Sequence, residues 1–442
     1  MRRPDEGWAA ALGQNSEGIG VGVGAALGQR LLRLVGFRLP RFWAAALVCL
    51  FFTQVPGLAE ANNASEARAI TVSATESATT LEVLLSNGVP VEIFTLANPY
   101  RVIIDLPDVA FKLPPETGRA SRGLITVFRY GLFAEGKARI VIDTSGPVKI
   151  AQAGMTEVAK GMSLKIILEP TDAESFGAGT GASRQSLGDP APADEPASAP
   201  QPVKPVGKPV IVIDPGHGGI DPGAVSSGSI TEKSVVLAVG TALQAALKQT
   251  GRYDVKMTRS TDVFVSLDKR LKFSEDNGAD LFISLHADSI EERQYAEAVR
   301  GATIYTLSER ASDEQARQMA EKENASDLLA GLESGGMAAT DQVKNILIDL
   351  LKRETSNFSA DFSNVLARRL GKTITLSRDP QRSAAFKVLK QPHAPSVLIE
   401  LGYISNSRDQ EQMITPGWQK QVATAIAAAV QTYFTKRTVG QQ

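Results

Sequence analysis

The sequence predicts an α/β domain, with a mostly parallel sheet flanked by helices, preceded by a small all-β sandwich domain. From Pro209 onward, apolar runs such as VIVID, LFISLH and PSVLIEL alternate with helix-period stretches such as EKSVVLAVGTALQAALKQ. Continuous apolar strands between helices indicate a sheet covered on both faces. Between Arg68 and Pro170, short alternating stretches such as TTLEVLLS and YRVIIDL are separated by Gly, Pro, Asn and Ser, which is typical of an antiparallel β fold.

The N-terminal residues have the layout of a secretory signal. Three arginines lie within residues 33–41, the apolar run FWAAALVCLFF follows, and residues 59–61 have the small-x-small form of a cleavage site. We therefore expect residues 1–61 to be a signal peptide, the mature chain to be exported, and no stable membrane span to remain after cleavage. A retained signal anchor is the alternative, although the apolar run is short for a span.

The mature chain is predicted to contain two domains and a linker. Residues 66–170 form the β domain, which has no histidine and only scattered acids, so a binding module or a purely structural domain are the two interpretations. Residues 171–208 are rich in Ala, Pro, Gly and Ser and predict a disordered linker that lets the two domains move independently. Residues 209–437 form the α/β domain.

Composition excludes several classes of function. The 47 basic and 48 acidic residues leave a net charge of −1, which argues against binding of nucleic acid. Cys49 is the one cysteine of the chain, so an intrachain disulfide and a thiolate metal site are both excluded. Lipid attachment at Cys49 is disfavoured because Val48 precedes it and the apolar run continues past it. Any metal site must therefore use histidines and carboxylates.

Ionisable residues follow three of the apolar strands. VIVID is followed by His217, LFISL ends at His286 and PSVLI ends at Glu400. Parallel neighbouring strands would bring these side chains to one edge of the sheet, where ligand sites of α/β folds gather. Glu232 would join them from the first turn of the helix that Ser229 or Thr231 could cap.

Two imidazoles and one carboxylate, with a further position open to water, are typical of a hydrolytic zinc site, and a second carboxylate could shuttle the proton. A single histidine at a strand end is more often an ordinary polar residue, and a first-turn glutamate such as Glu232 is favoured by the helix dipole alone. The combination of all four residues is what favours a site. His393 lies in a Pro-flanked loop and is interpreted as a non-ligand that could at most contact substrate.

Five motifs in this order resemble the zinc-dependent N-acetylmuramoyl-L-alanine amidases that cut peptidoglycan. They are IDPGHGGIDPGA, TEKSVVLAV, MTRSTDVFVSLDKR, LFISLHADS and SVLIELGYISN, and the resemblance runs through nearly all of residues 209–436. The β domain resembles the AMIN module of periplasmic amidases at NPYRVIIDLPD. That second resemblance implies peptidoglycan binding and targeting to the division septum.

The resemblance implies a role for each candidate residue. His217, Glu232 and His286 would bind one Zn²⁺ in the catalytic domain, and Glu400 would be the catalytic acid and base. The implied reaction is hydrolysis of the amide between N-acetylmuramic acid and L-alanine, in cell-wall turnover and daughter-cell separation. A catalytically inactive wall-binding protein and a zinc peptidase of the same fold are the alternatives. A His/His/Glu set accepts several divalent ions, so the residues by themselves leave the metal open.

The polar stretch at about residues 309–360 is predicted to be an inserted regulatory helical segment. Some relatives that are regulated during division carry a helix here that covers the site with a glutamate. Glu321 is the first candidate for that glutamate, with Glu314 or Glu323 as alternatives, and solvated surface helices are the other interpretation. The resemblance thus implies a self-inhibited enzyme that is opened by a septal activator protein.

Overall fold

The computed structural model describes most of the chain from residue 64 onward. The described residues are 64–114, 117–118, 121–177, 207–226, 229–290, 293–332 and 342–440. The predicted signal peptide and most of the predicted linker lie outside them. Within the described part, no helix is both long enough and apolar enough to cross a bilayer.

The β domain is a sandwich of two sheets. One sheet has the order β5-β1-β2-β9-β8 and the other β3-β4-β7-β6, with antiparallel pairing except between β1 and β5. Alternate residues of the strands point into a shared core, as Leu81, Val83 and Leu85 do, which explains the alternating sequence pattern. The strands are β1 (Ser65–Ala74), β2 (Thr79–Leu85), β3 (Glu92–Leu96), β4 (Arg101–Pro107), β5 (Val109–Phe111), β6 (Ile125–Ala134), β7 (Lys137–Thr144), β8 (Val148–Val158) and β9 (Gly161–Pro170).

The second domain has a six-stranded, mostly parallel sheet, as the sequence predicted. Its strands are β10 (Val210–Pro215), β11 (Asp254–Met257), β12 (Leu281–His286), β13 (Ala302–Leu307), β14 (Leu376–Ala384) and β15 (Ser396–Glu400). The order is β11-β10-β12-β15-β13-β14, and the pair β13–β15 is antiparallel. The helices are α1 (Glu232–Gln249), α2 (Leu267–Asp276), α3 (Arg293–Ala296), α4 (Glu314–Asn324), α5 (Ser326–Leu329), α6 (Gln342–Leu370), α7 (Ser407–Met413) and α8 (Pro416–Gly440).

Helices cover both faces of this sheet. Helices α1, α6 and α8 pack on the face that carries Ile211 and Ile283, whereas α2 and α4 pack on the face that carries Val212 and Phe282. Because neighbouring residues of a strand point to opposite faces, both must be apolar, and this produces the continuous apolar runs. The end of α6 belongs to the core, since Phe362 is fully buried there. The limits of the predicted regulatory segment and of the domains remain predictions.

A buried ion pair lies at the end of β10. The carboxylate of Asp214 accepts hydrogen bonds from Arg270 Nη1 at 2.6 Å, from Thr258 Oγ1 at 2.6 Å and from Ser284 Oγ at 2.8 Å. Both partners of the pair are almost fully buried. Burial opposes the charge on Asp214, but the guanidinium of Arg270 and the hydrogen bonds from Thr258 and Ser284 together outweigh it and lower the pKa of this carboxyl group.

Removing one partner of this ion pair should destabilise the protein, because the other partner is left buried with an uncompensated charge. We expect Asp214→Ala to lower the free energy of unfolding by about 3–5 kcal/mol, since it leaves the Arg270 cation buried without its counter-ion. Urea unfolding followed by circular dichroism measures the change. The matched control is Asp276→Ala, which removes an exposed pair with Lys272 and should leave the unfolding midpoint nearly unchanged. Equal midpoints for the two variants would contradict the expectation.

Candidate active site

Three adjacent parallel strands bring the predicted residues to one edge of the sheet. Strand β12 lies between β10 and β15, and His286 is in register with Glu400. His217 follows β10 after one residue, at the same edge. The prediction that these strands are parallel neighbours is confirmed.

Four donor atoms from four different segments surround one point at this edge. Oε1 of Glu232 lies 3.2 Å from Nε2 of His217 and 3.3 Å from Nδ1 of His286. Oε2 of Glu323 lies 3.4 Å from the same His217 nitrogen and 3.1 Å from the same His286 nitrogen. Ligands about 2.0–2.1 Å from a tetrahedral zinc ion lie roughly 3.3–3.4 Å apart, so the spacing fits such an ion.

The unpaired atoms of the site also fit a metal ion. His217 Nε2 and His286 Nδ1 are buried and have no hydrogen-bond partner among the described residues. On the other side of the His217 ring, Nδ1 is 2.8 Å from Oδ2 of Asp221. A carboxylate at that position holds the proton on Nδ1 and leaves the Nε2 lone pair free to face a cation. His217, His286 and Glu323 together form a buried group that could hold a metal ion.

The electrostatics of the four residues favour a positive charge between them. Burial opposes the imidazolium form of His286, but the Glu323 carboxylate and the contact with Glu232 raise the pKa of His286 to about 10. The pKa of Glu232 is well below its usual value, because His217 and His286 outweigh the effect of its burial. A metal cation can replace the protons that the carboxylates draw onto the two rings.

The glycines around His217 make room for the neighbouring ligands. His217 has a φ of 57°, in the left-handed region that residues other than glycine adopt rarely. A Cβ atom on Gly216 would lie 2.5 Å from the imidazole of His286. A Cβ atom on Gly223 would lie 2.7 Å from both Glu232 and the His217 ring. Only glycine leaves the space that the two imidazoles and the carboxylate occupy.

Two buried arginines hold the loop that carries His217. Arg259 donates to the carbonyl oxygens of Pro215 at 2.9 Å and Gly216 at 2.8 Å. Arg270 donates to the carbonyl oxygen of His217 at 2.8 Å. These bonds satisfy carbonyl groups that a tight loop leaves unpaired, and they fix the position of the ring. Sequence reasoning missed both roles, although both residues lie in the motif MTRSTDVFVSLDKR.

Glu232 is the first residue of α1 and is fully buried. Its Oε2 accepts a hydrogen bond from Ala224 N at 2.9 Å and its Oε1 accepts one from Ala287 N at 2.7 Å. These bonds hold the carboxylate beside both histidines. Thr231 is at the N-cap position but its side chain makes no capping bond. The predicted position of Glu232 is therefore observed, without the predicted side-chain cap.

Glu400 has the surroundings of a proton carrier. Its Oε2 accepts a hydrogen bond from Asp288 N at 3.0 Å, and its Oε1 has no partner among the described residues. Full burial raises the pKa of Glu400 well above its usual value; His286 opposes this rise, whereas the nearby carboxylates, including Asp288 and Glu323, reinforce it. A carboxyl group with a raised pKa can accept a proton and return it near neutral pH.

The glutamate that faces the two histidines is Glu323, one of the two alternatives to the first candidate, Glu321. Residues 313–332, which we call the cover segment, contain α4, α5 and the turn that follows. Glu321 is exposed and pairs with Arg317, whereas Glu323 is buried against the two histidines. Two positions along an α-helix correspond to a rotation of about 200° around its axis, so the side chains of Glu321 and Glu323 point in nearly opposite directions. The distance along the sequence could not decide this helical phase.

The cover segment closes the site. Lys322 pairs with the buried Asp288, beside Glu400, and Asn324 Oδ1 accepts a hydrogen bond from Lys387 N at 2.6 Å. His217 and His286 are only 7% and 5% exposed, so a glycan or peptide cannot reach them in this conformation. His393 lies outside the group; it is exposed, and its Nε2 is 3.8 Å from a carboxylate oxygen of Glu275.

The chain is similar to several known proteins. The N-acetylmuramoyl-L-alanine amidase family profile matches residues 211–432, and the AMIN domain profile matches residues 69–166. The N-acetylmuramoyl-L-alanine amidase AmiC of Escherichia coli O6:H1 is 33% identical over 356 residues, which cover 77% of this chain and 83% of that protein. The amidase AmiA of Escherichia coli K12 is 37% identical over 241 residues, which cover 54% and 80%. The solved catalytic domain of the amidase CwlV from Bacillus (Paenibacillus) polymyxa var. colistinus is 26% identical, with a TM-score of 0.38, over 51% of this chain and 98% of that chain.

Proposed function

The chain belongs to the N-acetylmuramoyl-L-alanine amidase family, and on that premise we propose that it is a zinc-dependent peptidoglycan hydrolase. It cleaves the amide bond between N-acetylmuramic acid and the L-alanine of the stem peptide, in cell-wall turnover and daughter-cell separation. The observation that carries the proposal is the group of His217, His286 and Glu232 at the sheet edge, with Glu400 beside it.

His217, Glu232 and His286 would hold the ion in the open enzyme. Nitrogen and carboxylate donors in this number suit zinc with one position left for water or substrate. When bound, the ion supplies a Lewis acid that acidifies water and stabilises the negative charge that develops on the substrate carbonyl oxygen. Asp221 keeps the His217 ring in the tautomer that binds a cation.

Glu400 carries the proton. It takes a proton from the attacking water and gives it to the L-alanine nitrogen as the amide bond breaks. Its burial and the neighbouring carboxylates favour the protonated form that the second transfer needs. The backbone N–H of Asp288 holds one oxygen of Glu400, which leaves the other free to face the reacting groups.

The β domain binds peptidoglycan and brings the enzyme to the division septum. The AMIN match over residues 69–166 supports this role, and the same match together with the similarity to amidases of Escherichia coli supports a periplasmic location. The domain limits are proposed as residues 1–61 for the signal peptide, 66–170 for the β domain, 171–208 for the linker and 209–437 for the catalytic domain.

The closed conformation is a self-inhibited state. Glu323 takes the place that water and substrate need, and the cover segment blocks access to both histidines. A septal activator protein would open the enzyme by moving this segment. The proposed form of regulation is the one expected from the sequence, with the alternative Glu323 rather than Glu321 as the inhibitory glutamate.

Digestion of purified peptidoglycan tests the reaction. The zinc-loaded chain and its Glu323→Ala variant are incubated with the polymer, and the released ends are identified. We expect new L-alanine amino ends with intact glycan strands. This release should stop when the metal is chelated and resume when zinc is added back. No release by either protein would indicate an inactive wall-binding protein. New amino ends inside the stem peptide would indicate a peptidase.

A further inference from the structure

The β domain touches the catalytic domain beside the active site, contrary to the expectation that the linker leaves the two independent. The carbonyl oxygen of Leu132, in β6, accepts hydrogen bonds from Ile220 N and Phe264 N, both at 3.2 Å. The ring of Phe133 stacks on that of Phe264 with centroids 5.9 Å apart. Ile220 follows His217 by three residues, so this contact reaches the rim of the proposed metal centre.

The same face of the β domain contacts the end of the cover segment. An apolar cluster joins side chains of β3, β4 and β7 to the active-site rim and to Ala330 of the cover segment. Its fully or nearly buried members are Phe94, Leu96, Ile103, Val141, Ile220, Phe264 and Ala330. The β domain thus packs against the rim and the cover segment at once.

Two buried arginines of the β domain bind backbone carbonyl groups of the cover segment. Arg139 Nη1 donates to the carbonyl oxygens of Ala330 at 3.2 Å and Gly331 at 3.3 Å. Arg101 Nη1 donates to the carbonyl oxygen of Leu328. Both arginines are at most 2% exposed. Hydrogen bonds from a charged donor to buried carbonyl groups are costly to break, so the contact resists separation.

Arg139 is positioned for this contact by its own domain. Asp105 binds its guanidinium through two hydrogen bonds of 2.6 and 2.8 Å. The guanidinium carbon lies 3.6 Å from the centroid of the Phe133 ring. The remaining donor, Nη1, points at the cover segment. A bidentate carboxylate and an aromatic face fix an arginine in one orientation, so the site is preformed on the β domain.

The contact is connected to Glu323 through a short and bonded stretch of chain. Leu332 N donates to the carbonyl oxygen of Asp327 at 3.0 Å, and Ala330 N donates to that of Ser326 at 3.1 Å. The carboxylate of Asp327 accepts a hydrogen bond from Leu267 N at 2.9 Å. Position 330 is therefore tied to the end of α4, where Glu323 faces the two histidines.

We propose that the β domain is a clamp on the cover segment. Through Arg101 and Arg139 it holds residues 328–331 in place, which keeps α4 closed and Glu323 against His217 and His286. Separation of the β domain from the cover segment is then a step in opening the enzyme. This proposal rests on the self-inhibition proposed above, and it assigns to the β domain a regulatory contact in addition to wall binding.

The test replaces the two arginines, Arg101 and Arg139, in the full-length, zinc-loaded chain. The clamp variant carries Arg101→Met and Arg139→Met, which keep long apolar side chains but cannot donate hydrogen bonds. Hydrogen–deuterium exchange of peptides from residues 313–332 is measured by mass spectrometry, together with release of peptidoglycan fragments. We expect exchange to be about tenfold faster or more, the factor that one lost charged hydrogen bond gives, and fragment release to increase.

The matched control is Arg129→Met. Arg129 lies on the same sheet and pairs with Asp143 at 2.9 Å, and it makes no hydrogen bond to the described residues of the cover segment. A second variant, Gly331→Leu, acts from the other side. Gly331 has a φ of 74°, and a Cβ atom there would lie 2.7 Å from Ile103 of the β domain, so a leucine should push the two apart while both arginine side chains are kept. If the clamp variant does not fold, the Gly331→Leu variant tests whether the β domain holds the cover segment.

The outcomes separate the clamp from the self-inhibition on which it rests. The clamp is overturned if the hydrogen–deuterium exchange rate of the cover segment is the same in three proteins: the clamp variant, Gly331→Leu and the Arg129→Met control. If Glu323→Ala releases more fragments while the clamp variant does not, the self-inhibition stands and the clamp is wrong. If exchange becomes faster but neither variant releases more fragments, the clamp contact stands and the self-inhibition fails.

Discussion

Replacing Glu323 with alanine is expected to raise the basal release of peptidoglycan fragments by about ten- to a hundredfold. The variant loses the carboxylate that faces His217 Nε2 and His286 Nδ1 at 3.4 and 3.1 Å. A charged contact of this kind contributes about 1.5–3 kcal/mol, and its loss shifts a closed-to-open equilibrium by the corresponding factor. The measurement is the initial rate of fragment release by the full-length, zinc-loaded chain without any added partner.

Glu321→Ala is the matched control for this prediction. Glu321 has the same side chain, lies two residues earlier on α4 and is exposed beside Arg317. Its removal should leave the rate unchanged, because the carboxylate does not reach the site. If Glu323→Ala instead loses both activity and zinc, Glu323 is a ligand of the working enzyme and the self-inhibition is refuted. Equal rates for the two variants would also refute it.

Replacing Glu400 with glutamine should abolish turnover while the metal stays bound. Positioned acid and base catalysis contributes about 10²–10⁴-fold, so we expect a loss in that range or larger. Glutamine keeps the size of the side chain and can still accept the hydrogen bond from Asp288 N, but it cannot take up a proton. The comparison uses Glu323→Ala as the parent, so that the starting rate is high, and zinc content is measured by elemental analysis.

Glu232→Gln is the contrast for Glu400→Gln. Glu232 faces both imidazoles, and the loss of its charge should lower zinc content as well as activity. The two variants therefore separate a ligand from a proton carrier by one measurement that does not depend on activity. Loss of zinc from Glu400→Gln, or retained turnover, would overturn the proposed division of roles.

The residues at the ends of the strands could be grouped from the sequence alone. His217, His286 and Glu400 each follow an apolar run, and the general rule that ligands gather at the carboxyl ends of parallel strands was enough to group them. They lie at one edge of the sheet because β10, β12 and β15 are parallel neighbours. Glu232 could be added because a first-turn glutamate has a defined position relative to its helix. These relations depend on sequence spacing within one element and on a sheet rule that holds across folds.

The sequence could not predict which face of α4 is turned to the site. Glu321 and Glu323 belong to the same polar stretch, and nothing in their spacing says which face of the helix is turned to His217 and His286. The phase is set by the side chains that pack inward, such as Met319, and by the bond between Asn324 and Lys387. A choice between two glutamates two residues apart needs that packing.

By itself, the amino-acid sequence determined the order of a β domain and an α/β domain and the set of two histidines and two glutamates at one sheet edge, because periodicity and strand ends are local properties. Only the tertiary structure decided that Glu323 covers this set and that Arg101 and Arg139 hold the cover segment from another domain. The physical reason is separation along the chain. Arg139 meets Ala330 across 191 residues, and a contact of that kind is created by the packing of two surfaces, which no short stretch of sequence encodes.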